Sequence, residues 1–260
     1  MRIYLINLAR RPDRLAAMAA QARALELGLE RVEALDAAST EAGSVDAWFE
    51  PGGPLGEIPR GDKACLLSHR RAWELFAASG KAHAVFLEDD VRLSAAAPAL
   101  LGSDSWIAPG MDVVKLEHYG PPGQRVLLKD MRALGEDFRI GRMLSRHTGA
   151  AAYILSREAA AVLLRQSRFD LPVDHLLFNP NISALFATLA PWQLLPAIAR
   201  QQEFVGEKSD IEGTRKGLRA FGGTYVRREL VRFFHDLKLL PRQMLALLGG
   251  AKFVAVKTAD

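Results

Sequence analysis

The sequence predicts an α/β fold with a mostly parallel central sheet, and three observations carry that expectation. The chain opens with an apolar run from Ile3 to Leu8, then a helical pattern, then a second β-rich run from Glu30 to Leu35. A later apolar run, Ala84-Val85-Phe86-Leu87, leads straight into three adjacent carboxylates, Glu88, Asp89 and Asp90. Further on, Thr148 to Ser156 reads as a strand that passes directly into a helix. Runs without polar alternation suit strands covered on both faces, as in parallel sheets. Sheets of that kind bind ligands at the carboxyl ends of their strands, where the acidic triplet would sit.

Taken in order, Arg2 to Leu8 is the first strand, and Arg10-Arg11-Pro12-Asp13-Arg14 is a loop with Pro12 near a helix start. The helix runs through Leu15, Met18, Ala22 and Leu25 and is expected to stop at Gly28. Glu30 to Leu35 is the second strand. Arg10, Arg11 and Arg14 then lie at the sheet's carboxyl edge, where guanidiniums suit a pyrophosphate or a uracil-type base, or simply flank a helix start. Thr40 to Arg60 is a long Gly- and Pro-rich excursion in which Trp48-Phe49 argues for a docked lid. A helical pattern from Ala64 to Phe76 puts Leu66, Trp73 and Phe76 on one face, and Gly80 ends it. Ser68 and His69 on this helix are no nucleophile–base pair, because sequence neighbours point about 100° apart. His69 is expected to be packed or to orient substrate.

Beyond the acidic triplet, Ala95 to Leu101 is a short helix and Met111 to Leu116 a strand ending at Glu117-His118. Val126 to Leu128 is an edge strand after the Pro121-Pro122-Gly123 turn. Ser156 N-caps a helix from Arg157 to Leu164. Asp174 and His175 begin a short helix after Pro172, and Trp192 to Ile198 is a late strand or extended segment. The triplet itself brings three anions together, so solvent, Arg or Lys, or a metal must offset them. Hard oxygens on alternate positions, Glu88 and Asp90, suit Mg²⁺ or Mn²⁺ carrying a substrate's phosphates, and a solvated acidic turn is the alternative.

Composition narrows the class. With 260 residues, 49% of them hydrophobic and 25% charged, the chain fits one large domain or a domain with an appendage. Cys65 is the only cysteine, which excludes a disulfide framework or a cysteine-cluster metal site and fits a reducing compartment. Neither a signal peptide nor a membrane-spanning run is legible, so a cytoplasmic protein is expected. The net charge of +4 is uneven, because ten Lys/Arg against three Asp/Glu lie from Arg215 onward. The expected division is therefore a catalytic domain over residues 1–212 and a basic helical C-terminal region over 213–260.

The ordered motifs resemble those of glycosyltransferase family 25, the bacterial lipooligosaccharide and lipopolysaccharide biosynthesis enzymes. The matching pieces are Ile3 to Leu8 with Arg10 to Arg14, Cys65-Leu66-Leu67-Ser68-His69 with Ala72-Trp73, Phe86 to Val91, Ala152 to Ser156 with Ala159, Pro172-Val173-Asp174, and Gln201-Gln202 with Ser209-Asp210-Ile211. Ala64 and Ala37 stand where the family pattern often has Gly. The resemblance implies a GT-A-like, Rossmann-type nucleotide-binding domain that transfers a sugar, often galactose, from a UDP-sugar to a growing glycolipid. It also implies a D-x-D-type motif holding Mn²⁺ or Mg²⁺, matched here by Glu88, Asp89 and Asp90. On that footing Asn7, Arg10, Arg11 and Arg14, with Ser68 and His69, fall to the nucleotide. Asp174 is the first choice for general base or acceptor binding, with His175 and Glu117 as rivals and helix capping as the alternative job for Asp174.

The C-terminal region invites a membrane reading. Val226, Leu230, Phe233, Phe234, Leu237 and Leu240 recur at helical spacing among Arg227, Arg228, Arg232 and Lys238, and Pro241 is expected to interrupt the pattern before Met244 to Leu248. A basic amphipathic helix of this kind lies in an anionic bilayer interface or packs on the catalytic domain. The expected location is the cytoplasm, with peripheral attachment at the inner face of the cytoplasmic membrane as the reading that a membrane-bound tail would add. The competing functions are a non-catalytic relative of the same fold and a binder of nucleic acid or anionic surfaces through the tail. No nucleic-acid-binding motif is present, so nucleic acid is not the expected partner.

Overall fold

The structure is a computed structural model, and it describes residues 1–121, 123–202 and 239–259. The opening unit is β1 (Arg2–Asn7), α1 (Pro12–Ala24) and β2 (Glu30–Glu33), with β2 parallel to β1. α1 ends before Gly28. Glu26 takes the left-handed position at φ 53°, while Leu27 N–H donates to the Ala22 carbonyl and Glu26 N–H to that of Arg23. This paired closure satisfies the carbonyls of the last turn without a glycine.

The excursion that follows is docked, as its aromatic pair suggested. It contains α2 (Ala42–Asp46), and Phe49 is buried and bridged to Phe169 by reciprocal backbone hydrogen bonds around Trp48 and Glu50. α3 (Arg60–Ala78) crosses to β3 (His83–Glu88), which lies parallel to β1 on the side opposite β2. Ala64 is buried inside α3, where alanine favours helix over the family's glycine. β4 (Val91–Leu93), α4 (Ala97–Leu101), β5 (Val113–Lys115) and β6 (Glu117–His118) come next. Then β7 (Arg125–Leu134), β8 (Phe138–Met143), β9 (Ala152–Ser156), α5 (Arg157–Leu164), α6 (Val173–Phe178), α7 (Phe186–Leu189), β10 (Trp192–Leu195) and β11 (Ala199–Gln201) follow. Ser156 caps α5 as expected, its hydroxyl accepting from Ala159 N–H.

Among the described residues, nine strands form one sheet in the order β12-β7-β8-β10-β5-β9-β3-β1-β2, β12 being Lys252–Ala255. The sheet is mixed rather than mostly parallel. Only β1–β2, β1–β3 and β5–β10 pair in parallel, and the other five pairings are antiparallel. The reason is local: β7 and β8 are joined by a three-residue turn with Gly135 at φ 70°, which permits only antiparallel pairing. β9 enters antiparallel between β3 and β5. The short edge strand expected at Val126 is thus one arm of a long hairpin, and β12 adds a further strand from the C-terminal region, which is not wholly helical. Residues 239–248 are helical, with Pro241 inside the helical stretch rather than breaking it. The linker and the basic amphipathic pattern up to Lys238, along with Ser209-Asp210-Ile211, lie outside the described residues.

Alternation along the central strands divides the core. Tyr4, Ile6, Phe86 and Tyr153 face α3, α5 and α6, whereas Ile3, Leu5, Val85 and Leu87 face α1 and α4. α1 and α3 therefore cover opposite faces, and the chain changes direction between β1 and β3. A second sheet of three strands, β4-β11-β6, sits beside the end of β3. No helix among the described residues is long and apolar enough to cross a membrane.

Candidate functional site

A cleft of about 450 Å³ opens at the carboxyl ends of β1, β2 and β3, where an open α/β sheet changes winding direction. Arg10, Arg14, Ser68, His69, Glu88, Asp89, Asp90 and Asp174 line it, as do Asp36, Tyr119 and Gln201. Asn7, Arg11, Glu117 and His175 do not.

The acidic triplet is divided among different partners. Asp89 accepts from Asn7 Nδ2 at 2.7 Å and from Arg14 Nη1 at 3.1 Å. Arg14 also approaches Asp90 Oδ2 at 3.5 Å. Burial works against the Arg14 charge, but the hydrogen bond to Asp89 and the charges of Asp90 and Asp89 outweigh it and raise its pKa. Asn7 is spent: Nδ2 donates to Asp89 and to the Arg11 carbonyl, and Oδ1 accepts from Arg31. It holds the acidic turn from behind rather than meeting a nucleotide. Arg11 closes on Asp13 at 2.8 Å, outside the cleft. Arg10 reaches the cleft and is fixed by Asp36 Oδ2 at 2.7 Å, and Asp36 is held ionised mainly by the Ala38 N–H.

Glu88 terminates a chain of hydrogen bonds through the core. Trp73 Nε1 lies 2.8 Å from Tyr153 Oη, Tyr153 Oη 2.8 Å from His69 Nδ1, and His69 Nε2 3.1 Å from Glu88 Oε1. Trp73 can only donate, and the row is satisfied when the Tyr153 hydroxyl donates to His69 Nδ1 and His69 Nε2–H donates to Glu88. Burial raises the Tyr153 pKa, which keeps that hydroxyl protonated. His69 is thus packed between the Tyr153 hydroxyl and the Glu88 carboxylate. Cys65, His69 and Glu88 lie close enough to share a metal ion. Metal on His69 Nε2 would force the proton onto Nδ1 and leave the Tyr153 hydroxyl proton without an acceptor, so the hydrogen-bonded arrangement fits better. Gln201, delivered by β11, donates to Glu88 Oε2 at 3.4 Å.

The remaining carboxylate donors suit a hard divalent cation. Glu88 and Asp90, on alternate positions, both line the cleft, and carboxylate oxygens are the donors that Mg²⁺ or Mn²⁺ takes. Both oxygens of Asp89 accept hydrogen bonds, from Asn7 and Arg14, and so do both of Glu88, from His69 and Gln201, so a cation on either carboxylate would compete with these donors. Ser68 is occupied in the same sense, accepting from Leu35 N–H and donating to the Ala64 carbonyl.

Asp174 lies in the first turn of α6, but Pro172 occupies the N-cap and no side chain caps this helix. The capping role is therefore absent, and the Asp174 carboxylate meets the cleft with no hydrogen bond from any described residue. His175 turns instead to Asn179, its Nδ1 2.7 Å from Asn179 Nδ2. Glu117 is fully buried beneath the cleft with Lys115 Nζ at 2.7 Å, and cannot meet a substrate directly. Burial pushes the Lys115 ammonium down and the Glu117 carboxyl up, and each partner's charge opposes the shift. Lys115 also donates to the Gly149 carbonyl and lies 4.5 Å from the centre of the Phe178 ring. Above it, Gly149 has φ 89°, and a Cβ there would come 2.7 Å from the Tyr119 ring. That wall of the cleft requires glycine.

Sequence reasoning missed Tyr153, Trp73 and Gln201 as site residues. Trp73 stands four residues after His69 on α3, so helical spacing signals a shared face. Nothing local ties Tyr153 or Gln201 to Glu88, because sheet pairing brings them there.

Comparisons with known proteins identify the family. The family described as "Glycosyltransferase family 25 (LPS biosynthesis protein)" matches residues 1–177. "Lacto-N-neotetraose biosynthesis glycosyltransferase LgtE" of Neisseria gonorrhoeae is 29% identical over 174 residues, 60% of each chain. "Lacto-N-neotetraose biosynthesis glycosyltransferase LgtB" of the same organism is 32% identical over 155 residues, 54% of this chain and 53% of LgtB. "Inactive glycosyltransferase 25 family member 3" of Mus musculus is 33% identical over 97 residues, 35% of this chain and 16% of that protein. The chain thus spans 53–60% of the length of the two bacterial relatives. With the family match covering more than half of the chain and all the cleft residues except Gln201, this protein belongs to glycosyltransferase family 25.

Proposed function

We propose that the chain transfers a hexose, galactose by preference, from a UDP-sugar to a lipooligosaccharide or lipopolysaccharide glycan, with metal assistance and inversion at the anomeric carbon. The observation that carries this reading is the convergence, inside the family-matched residues, of two arginines, an acidic turn and a carboxylate that makes no hydrogen bond to a described residue across one cleft. The names of the LgtE and LgtB relatives support a glycan acceptor of this class. The same reading puts the protein in the cytoplasm, at the inner face of the membrane that carries the acceptor.

Sugar transfer needs charge neutralised on the departing diphosphate and a proton removed from the attacking hydroxyl. A divalent cation, when bound, supplies part of the first, and Glu88 and Asp90 would hold it. Arg10 and Arg14 add fixed positive charge for phosphate oxygens, Arg10 being oriented by Asp36. His69 holds Glu88 at the cleft through the hydrogen bond between its Nε2 and Glu88 Oε1. Asp174 takes the proton from the acceptor hydroxyl. Its carboxylate lines the cleft and makes no hydrogen bond to a described residue.

The test is a donor screen on the purified protein, with nucleotide release read for UDP-galactose, UDP-glucose, UDP-N-acetylhexosamines and GDP- or CMP-sugars. UDP release from UDP-galactose, reduced roughly tenfold or more by EDTA and by Asp90→Ala, is expected. Release from no donor, or only from a GDP- or CMP-sugar, overturns the reading. The inactive mouse relative motivates a second reading, a nucleotide binder without transfer. Thermal stabilisation by UDP with Mn²⁺ but no turnover is its signature.

A further inference from the structure

Among the described residues, the helix at 239–248 turns its more polar side to the body and its apolar side away from it. It meets the body through its half-buried positions 239, 243 and 246, and the contact includes the polar Gln243, whose Nε2 donates to the Leu144 carbonyl at 3.3 Å. Leu240, Met244, Leu245, Leu247 and Leu248 face outward, with Leu245 68% and Leu248 87% exposed. Leu240, Met244, Leu247 and Leu248 recur at i, i+4, i+7 and i+8, so they form one continuous stripe. Of the eight large apolar side chains exposed among the described residues, six lie between residues 240 and 253, the sixth being Phe253 on the adjoining β12. Scattered exposed apolar residues are ordinary, but a contiguous group on one face marks a contact surface.

Its charge selects the occupant. Residues 239–259 carry Arg242, Lys252 and Lys257 and contain no Asp or Glu. Lys129 adds another cation, its Nζ 3.6 Å from where a Cβ on Gly249 would stand. The nearby Asp130 carboxylate is paired with Arg142 at 3.3 Å. Asp137 also borders this face, lining a surface pocket with Arg139, Gly250 and Lys252. The rim formed by Lys129, Arg139, Arg242 and Lys252 stays net positive, which complements an anionic lipid headgroup layer. It opposes a second copy of itself, which would bring two cationic rims together. The helical stretch is too short to span a bilayer, so it would lie in the interface plane.

We propose that residues 240–253 form a membrane-docking face that inserts Met244, Leu245 and Leu248 into an anionic bilayer surface, with Arg242, Lys252 and Lys129 on the headgroups. This surface contains no cleft residue, and its occupancy is measured without the transfer reaction. A failure here therefore leaves the proposed chemistry standing, and the converse also holds. The test is co-sedimentation of the full chain with phosphatidylcholine vesicles with and without phosphatidylglycerol. It compares the wild type with a Met244→Gln, Leu245→Gln, Leu248→Gln variant whose thermal midpoint is unchanged. The wild type pellets with the anionic vesicles and less so in raised salt, and the variant's partition coefficient falls by roughly tenfold or more. Equal pelleting of the two proteins overturns the proposal, as does failure of the wild type to bind anionic vesicles. Light scattering that shows a wild-type dimer converted to monomer by the variant, with no vesicle binding, would assign the face to a second copy instead.

Discussion

At the residue scale, the site works by separating carboxylates that the sequence places side by side. Asp89 is committed to Asn7 and Arg14, and Glu88 accepts from His69, while Asp174 reaches the same cleft from α6 with no hydrogen bond from a described residue. Asp174→Asn keeps the shape and removes the base. It should lower kcat by about 100-fold or more with little change in the donor's KM and in the urea midpoint. A variant rate within about threefold of wild type would place the base elsewhere. His147 supplies a second residue-scale prediction. Its Nδ1 donates to Gln193 and its Nε2 meets the Tyr119 backbone, and burial lowers its pKa from 6.5 to about 3. The folded state holds the neutral form, so this contribution is present above the unfolded pKa and is lost as pH falls from about 6.5 toward 3. Unfolding free energy should drop by about 2 kcal/mol between pH 7 and pH 5 from this group alone. Urea titrations at the two pH values check it, and His147→Asn should flatten the difference. Asp174, His69 and the triplet were legible as chemistry-bearing residues because their motif order is specific. The retirement of Asn7, Arg11, His175 and Glu117 from the cleft was not legible, because each is claimed by a neighbour whose identity depends on rotamer and packing.

At the scale of elements, local sequence rules placed most helices and strands but missed how some of them end. Pro12 starts α1 and Ser156 caps α5, both as the residue types dictate. The end of α1 falls on Glu26 rather than Gly28, since the closing hydrogen bonds repay a left-handed residue that carries a Cβ. Glu26→Gly should therefore stabilise the fold by about 0.5–1 kcal/mol, read as a higher urea midpoint with an unchanged slope. A decrease would mean that the Glu26 side chain makes a contact outweighing its backbone strain. β8 and β12 escaped sequence reading for a different reason. Phe138-Arg139-Ile140-Gly141-Arg142 is rich in charge and carries a glycine. A Cβ on Gly141 would meet the Met131 sulfur at 2.3 Å, so the strand exists to pair with β7 and not by its own propensity.

At the scale of the molecule, two features decide the site. One is the change of winding direction between β1 and β3, which puts the arginine loop and the acidic turn across one opening. The other is the Lys115–Glu117 pair, sealed beneath that opening with neither side chain exposed to solvent. Lys115→Met leaves an uncompensated carboxyl in the core and should cost about 3–5 kcal/mol. Pairing it with Glu117→Gln should recover a large part, read in a double-mutant cycle by urea unfolding. Additive losses would show that the two groups are not coupled. The sequence by itself determined the family, the opening β-loop-α-β unit and the strand that ends in three carboxylates. Those follow from short-range pattern and motif order, which chain-neighbour sterics and burial periodicity set. Only the tertiary structure decided that the sheet is mixed and that Tyr153, Trp73 and Gln201 stand behind His69 and Glu88. It alone also showed that the apolar stripe near the C-terminus faces outward. Trp73 apart, each of these depends on which distant segment supplies the hydrogen bond or the covering surface, and pairings such as Phe86 with Tyr153 or Val91 with Gln201 leave no local trace in either partner.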